Sequence, residues 1–169
     1  MSRKYLNDKY CVRCGRHNAT PYLRSNKKFI DSNCKTTDLI LDIGCGNGRN
    51  TNFLRQSGFS NIKSIDMVAD YGQKCILGKD ALPCKGSSVK LILANYVFMF
   101  LDKKELEFLL VEIDRVASHN AVIICELYAA KDCEYRDLTS TMSLQKYIFN
   151  TLGWEKIRYS KQRFVARRW

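Results

Sequence analysis

Short apolar runs alternate with amphipathic stretches along most of the chain. TDLILDIG, residues 37–44, is β-branched, leucine-rich and continuous rather than alternating, which predicts a strand covered on both faces. RNTNFLRQSG predicts a short helix ending at Gly58, a residue suited to the position just past a helix C-terminus. NIKSIDMV predicts a second strand, ADYGQKC at most one helical turn, and CILGKDALP a short third strand running into a loop. VKLILANYVF is a fourth, strongly apolar strand. DKKELEFLLVEIDRVAS gives the clearest helix: Leu106, Leu109, Leu110, Ile113, Val116 and Ala117 recur at helical spacing, and Asp102 with Glu105 makes a capping-box start. AVIICELY is a fifth strand, and SLQKYIFNTLG a helix with Leu144, Tyr147, Ile148 and Leu152 on one side and Gly153 after it. WEKIRYSKQRFVARRW reads as two short strands joined by a turn at residues 160–162. The order predicts an α/β fold, a doubly wound, mostly parallel seven-stranded sheet with an antiparallel last strand.

Composition fits one soluble domain. The 169 residues are 46% hydrophobic and 27% charged with two prolines, enough for one core and too short for two comfortable ones. No apolar run approaches the roughly 18 residues of a membrane span, and MSRKYLNDKY lacks the apolar segment of a signal peptide, so a cytoplasmic protein is expected. Cys45, Cys75 and Cys125 sit in apolar runs and are read as reduced, buried thiols.

The net charge of +11 belongs to the two ends. Residues 1–35 hold nine Lys or Arg against Asp8 and Asp31, and residues 155–169 hold six against Glu155. The middle carries thirteen basic and fourteen acidic residues. Basic flanks on a neutral middle suggest surfaces that seek RNA, DNA or another polyanion.

LDIGCGNGRN, residues 41–50, adds candidate chemistry. In a doubly wound sheet ligands bind beyond the carboxyl ends of the strands, where strand order reverses, and the loop after the first strand is that place. Gly44, Gly46 and Gly48 permit positive φ and close approach of a ligand to the main chain. A dinucleotide fingerprint would need a glycine where Arg49 stands. Asp42, just ahead of the loop, suits a cation better than a phosphate. Asp66 lies twenty residues beyond Gly46 at the end of the second strand, where a carboxylate can accept both ribose hydroxyls. Asp80, with Ala81 and Leu82 after it, ends the third strand and would face an adenine. Together these acids describe a seat for an adenosine without phosphate.

These motifs resemble the Rossmann-like, class I S-adenosylmethionine-dependent methyltransferases: LDIGCGNG, SIDMV, GKDALP and VKLILANYVFMFL, followed by the long helix and AVIICELY, over residues 36–169. The resemblance implies that Asp42 and the Gly44, Cys45 and Gly46 backbone hold the methionine moiety, Asp42 through water. It implies Asp66 on the ribose, Met67 beside the adenine, Asp80 on the adenine amino group, the Ala81 amide on the ring, and Asn95 and Tyr96 near the sulfonium. The chain departs from the family at Lys90 and at Ser118-His119-Asn120. It also lacks the prolines of amino-methylating nucleobase enzymes at Asn95-Tyr96-Val97-Phe98. Tyr96 is the candidate for orienting an acceptor, with core filler as the alternative; His119 reads as a turn histidine on the wrong edge of the sheet.

Residues 1–35 are expected to form a basic N-terminal extension, a candidate lid or zinc knuckle ahead of a methyltransferase domain at residues 36–169. Cys11, Cys14, His17 and Cys34 supply the ligand types of a tetrahedral zinc site, with free cysteines or a labile disulfide as the competing readings. Arg13, Arg16, Arg24, Lys27 and Lys28 are interleaved with Tyr10, Tyr22 and Phe29, a mixture suited to phosphates and stacked bases. The leading expectation is a methyltransferase acting on a nucleic acid or other polyanion. The alternatives are a small-molecule methyltransferase with the N-terminal segment as lid, and a non-catalytic cofactor-fold binding subunit.

Overall fold

The computed structural model describes residues 18–67, 72–127, 144, 147–160 and 162–169. Two short helices, α1 (Pro21–Ser25) and α2 (Lys27–Asn33), precede β1 (Ile40–Ile43). Then come α3 (Arg49–Gln56), β2 (Ile62–Asp66), β3 (Gln73–Lys74), β4 (Val89–Asn95), α4 (Lys103–Val116), β5 (Ala117–Glu126), β6 (Glu155–Tyr159) and β7 (Arg163–Arg167). The seven strands form one sheet in the order β3-β2-β1-β4-β5-β7-β6. Strands β1 to β5 run parallel, while β7 is antiparallel to both of its neighbours. Strand order therefore reverses between β1 and β4, as the alternation of elements predicts.

Both faces of the sheet are covered, which is why its strands read as continuous apolar runs. On one face Ile40, Leu91, Leu93, Val122, Ile124 and Val165 pack against Leu23 of α1, Ile30 of α2 and Leu54 of α3. On the other, Leu41, Ile43, Ile92, Ile123 and Phe164 pack against Leu106, Leu109, Leu110, Ile113 and Val116 of α4, with Leu144, Ile148 and Trp154 alongside. Each such aliphatic or aromatic burial is worth about 1.5–3 kcal/mol. Ala19, Leu23 and Ile30 are thus built into the core, with Leu23 and Ile30 essentially inaccessible.

Local rules place the element ends. The carboxylate of Asp102 accepts from the Glu105 N–H while the Glu105 side chain accepts from the Asp102 N–H, the reciprocal cap predicted for α4. Gly58, at φ +92°, stands just past the Ser57 cap of α3.

Elsewhere the fold corrects the sequence reading. The third strand is not CILGKDALP but the two residues before it, Gln73 and Lys74, paired with Ile65 and Asp66. Cys75 and Leu77 are drawn into the core beside α4, so the apolar character of CIL reports packing and not strand. Ser118, His119 and Asn120 are not a turn before β5 but lie within it: α4 runs straight into the strand, and Asn120 absorbs the irregularity at φ +57°. The described part of SLQKYIFNTLG is a wide π-helical turn, Tyr147–Thr151, in which the Leu152 N–H reaches the Tyr147 carbonyl at 3.0 Å. Among the described residues no helix is long and apolar enough to cross a membrane.

Candidate active site

The apolar face that carries α1, α2 and α3 ends in a polar row at the carboxyl edge of the sheet. Residues two apart share a face of a strand, so the line Ile40, Leu91, Leu93, Val122, Ile124 and Val165 continues as Asp42, Asn95, Glu126 and Arg163. Register sets them side by side: Asp42 opposite Leu93, Asn95 opposite Glu126, and Glu126 opposite Arg163.

The glycine loop lies above the Asp42 end. Gly44, Gly46 and Gly48 adopt φ of +65°, +53° and +72°, a region that other residues enter at a cost. A Cβ on Gly44 would stand 2.3 Å from Cγ2 of Val97, so that position requires glycine for packing as well. A Cβ on Gly46 would meet nothing within 4 Å, which leaves bare main chain facing open space. The loop is fixed from beneath. The Gly46 N–H donates to Oδ2 of Asp66 at 2.9 Å, and the Cys45 N–H donates to the Ile65 carbonyl at 3.0 Å.

Asp42 is held by α3. The Thr51 hydroxyl donates to its Oδ2 at 2.6 Å and lies 2.8 Å from the Ser64 hydroxyl. Burial pushes the Asp42 carboxyl up to about 6, against the lowering effect of the Thr51 hydrogen bonds. A buried acid raised in this way favours a cationic partner, which would restore its charge. Asn95 is 8% exposed; its amide reaches the Thr20 hydroxyl at 3.5 Å, and the Thr20 N–H donates to Oδ1 of Asn50 at 3.0 Å. Oδ1 of Asn95 has no hydrogen-bond partner among the described residues. An orphaned buried acceptor costs about 1–3 kcal/mol, so this one calls for a donor from a ligand.

At the far end of the row stands Glu126, 0% exposed and missed by sequence reasoning. Its Oε2 accepts from the Tyr96 hydroxyl at 3.2 Å and lies 3.7 Å from Nε of Arg163, while Oε1 has no partner among the described residues. Tyr96 reaches it from a strained backbone: φ is +61°, a cost of about 1–2 kcal/mol for an ordinary side chain. The bond from the Tyr96 N–H to the Glu126 carbonyl, 2.7 Å, holds that conformation. Burial, then the charge of Glu126, pushes the Tyr96 phenol up. Arg163 in turn lies over the Tyr22 ring of α1, 5.6 Å from its centroid.

The remaining candidates lie off this row. Met67 follows β2 directly and is half-buried. Asp80 and Ala81 are exposed, in a turn that Oδ2 of Asp80 closes on the Ile76 N–H at 2.7 Å, not at the end of a strand. That turn is anchored to α4: Glu112 accepts from the Leu82 N–H, and Arg115 donates to the Leu82 and Cys84 carbonyls. His119 is exposed near the amino ends of the strands, beside Lys90, Asp31 and Asp38 in a shallow groove. Cys11, Cys14 and His17 lie outside the described residues. Cys34, the fourth expected zinc ligand, caps α2 and packs among core residues. Burial pushes its thiol up to about 11. No group of three metal-ligating side chains occurs among the described residues, which hold one of the four expected zinc ligands.

Comparison with known proteins agrees with this geometry. A family model described as a methyltransferase domain matches residues 41–125, from β1 through most of β5. The chain belongs to the methyltransferase-domain family. Its frame is that of the class I S-adenosylmethionine-dependent methyltransferases. A methyltransferase from Methanosarcina mazei, described as SAM-dependent, is 16% identical, covers 89% of this chain and 98% of its own, and has a TM-score of 0.64. The 1,6-didemethyltoxoflavin-N1-methyltransferase of Burkholderia thailandensis, solved with its substrate and S-adenosylhomocysteine, is 11% identical, covers 88% and 78%, and scores 0.65. The [4+2]-cyclase SpnF is 14% identical, covers 82% and 58%, and scores 0.59, so the same frame also carries other chemistry. No curated protein matches the chain by sequence.

In this methyltransferase the residues present fit the cofactor the family implies. Bare main chain at Gly46, the buried acid Asp42 and the orphaned Oδ1 of Asn95 together favour a positively charged ligand rich in donors.

Proposed function

We propose that the protein transfers a methyl group from S-adenosylmethionine to a small acceptor seated at the carboxyl ends of β4 and β5. The observation that carries this reading is the row of buried acceptors, Asp42, Asn95 and Glu126, beside a glycine loop tied to Asp66. When bound, the cofactor supplies an already activated sulfonium methyl, so transfer needs alignment and exclusion of water before anything else. Gly44 to Gly46 and Asn95 would hold the methionine moiety, with Asp42 fixed behind them by Thr51. Arg49, whose charge acts on both Asp42 and Tyr96, would take its carboxylate. Asp66 would accept from the ribose, with Met67, Asp80 and Ala81 toward the adenine. Thr20 and Tyr22 close the site from α1.

The preference for a small acceptor rests on how the C-terminal cations are spent. Arg158 donates to Asn26 at 2.6 Å, Arg163 faces Glu126, Arg167 donates to Asn33 at 3.0 Å, and Arg168 pairs with Asp114 at 3.1 Å. Lys156 lies over the Phe149 ring at 4.9 Å. These charges serve the fold before they serve a partner. A second reading, a nucleic acid or other polyanionic acceptor, is favoured by Arg24, Lys28 and Lys35, which stand exposed on and after α1 and α2. Incubation with methyl-labelled S-adenosylmethionine and separate RNA, DNA, protein and small-molecule fractions tests both. Label in the small-molecule fraction is expected, and label confined to RNA or DNA reverses the preference.

A further inference from the structure

We propose that Glu126 takes the proton of the acceptor's nucleophile, and that the acceptor therefore presents a neutral N–H or O–H. The proposal rests on the methyl-transfer reading above and goes beyond it in naming the acceptor's reacting group.

Four observations converge on this carboxylate. Glu126 is 0% exposed, yet Oε1 has no partner among the described residues, although a buried charge is expected to be fully hydrogen-bonded. Its other oxygen is fixed twice, by the Tyr96 hydroxyl at 3.2 Å and by Arg163 at 3.7 Å, which directs Oε1 away from both. Tyr96 keeps a left-handed backbone conformation, φ +61°, while both its main-chain N–H and its hydroxyl bond to Glu126. Strain of this kind persists where the surroundings over-determine it, as they do at functional sites. Finally, Glu126 is paired in register with Asn95 at the sheet edge where the methyl donor would lie.

Charge narrows the acceptor. Glu126 and Arg163 neutralise each other and Tyr96 is a phenol, so the described side chains that touch Glu126 leave no net positive charge for an anion. A carboxylate with an unsatisfied oxygen is an acceptor only, which selects a donor group. In the transfer step the N–C or O–C bond forms as the methyl C–S bond breaks, the bonding pair stays on sulfur as a thioether, and the nucleophile's proton passes to Oε1. Arg163 and Tyr96 hold the carboxylate in place and leave that oxygen for the proton; both are positioning residues.

The test uses the full chain with labelled S-adenosylmethionine and a fixed acceptor panel: benzimidazole, theophylline, 4-nitrophenol, catechol, thiophenol and total RNA. Calorimetry with S-adenosylhomocysteine runs in parallel on wild type, Glu126→Gln and Tyr96→Phe. Transfer to N–H or O–H compounds is expected, with kcat lower by about 100-fold or more in Glu126→Gln while S-adenosylhomocysteine affinity stays unchanged. In Tyr96→Phe kcat should fall while KM for the acceptor and S-adenosylhomocysteine affinity stay nearly unchanged, a split that a merely structural role would not produce. Transfer only to thiophenol, no transfer to any panel member, or equal rates in Glu126→Gln would each overturn the assignment. Wild type that fails to bind S-adenosylhomocysteine removes the underlying reading instead, so the two failures are separable. If Glu126→Gln fails to fold, the Tyr96→Phe kinetics decide: an unchanged kcat overturns the assignment.

Discussion

Single residues carry the site, and they differ in what they would cost to change. Gly44 and Gly46 look alike in sequence, but only Gly44 has a neighbour where its Cβ would stand. Gly44→Ala should therefore lower stability by about 2–4 kcal/mol, left-handed strain plus overpacking. Gly46→Ala should lower it by only about 1–2 kcal/mol and weaken cofactor binding instead, because its methyl projects into the open space above the loop. Denaturant melts and calorimetry with S-adenosylhomocysteine separate the two outcomes. Asp42 adds a pH dependence. Its folded carboxyl sits near 6, above the ordinary 3.8, so the free protein keeps it protonated below about 6. A cationic ligand favours the ionised form, so affinity should rise as pH increases through 6 and level off above it, by at most about tenfold per unit. Asp42→Asn should flatten that profile. Much of this was legible because glycines at alternate positions and an acid inside LILDIG break local rules, and such breaks are paid for only where something needs them. The acid inside AVIICELY carries the same cue. Its meaning depends on Tyr96 and Arg163, distant in sequence and brought to it only by the sheet.

At the scale of elements, the readable ones are those with their own signals. Helix α4 has its apolar stripe and its capping box, and Asp102→Ala should cost about 1 kcal/mol in a denaturant melt. The loop beneath it is less readable. Parallel strands are usually joined by a dozen or more residues, whereas β2 and β3 are joined by residues 67–72. With so short a link, β3 reaches the sheet only as two exposed residues at its edge, and the apolar CIL beyond it turns into the core. Periodicity reports burial and cannot tell a buried turn from a short buried strand. What places Asp80 and Ala81 is tertiary: Gly78 lies so close to Glu105 that a Cβ would stand 2.4 Å from its side chain, and the Glu112–Arg115 pair grips Leu82 and Cys84. Glu112→Ala should loosen this loop, seen as faster amide exchange at Leu82, with α4 itself still folded.

For the whole molecule, net charge overstates what is available to a partner. The value of +11 includes cations already engaged with Asn26, Asn33, Asp114, Glu126 and Glu155. If those pairs persist, binding to a fluorescent single-stranded RNA should be weak, its logarithmic salt slope no steeper than about 2. A slope of about 5 or more would mean that the same cations grip phosphates and would restore the polyanion as acceptor. Whatever the acceptor, the proposed function requires that the glycine loop, Asp42, Asp66 and Asn95 together seat S-adenosylmethionine. Titration calorimetry of S-adenosylmethionine into wild type and Asp66→Ala tests it most directly, with circular dichroism to verify the fold. The account predicts one site per chain in wild type and an affinity lower by about tenfold or more in Asp66→Ala, the loss of a charged hydrogen-bond partner. Absence of binding to wild type, or equal affinity in a folded Asp66→Ala, would contradict it.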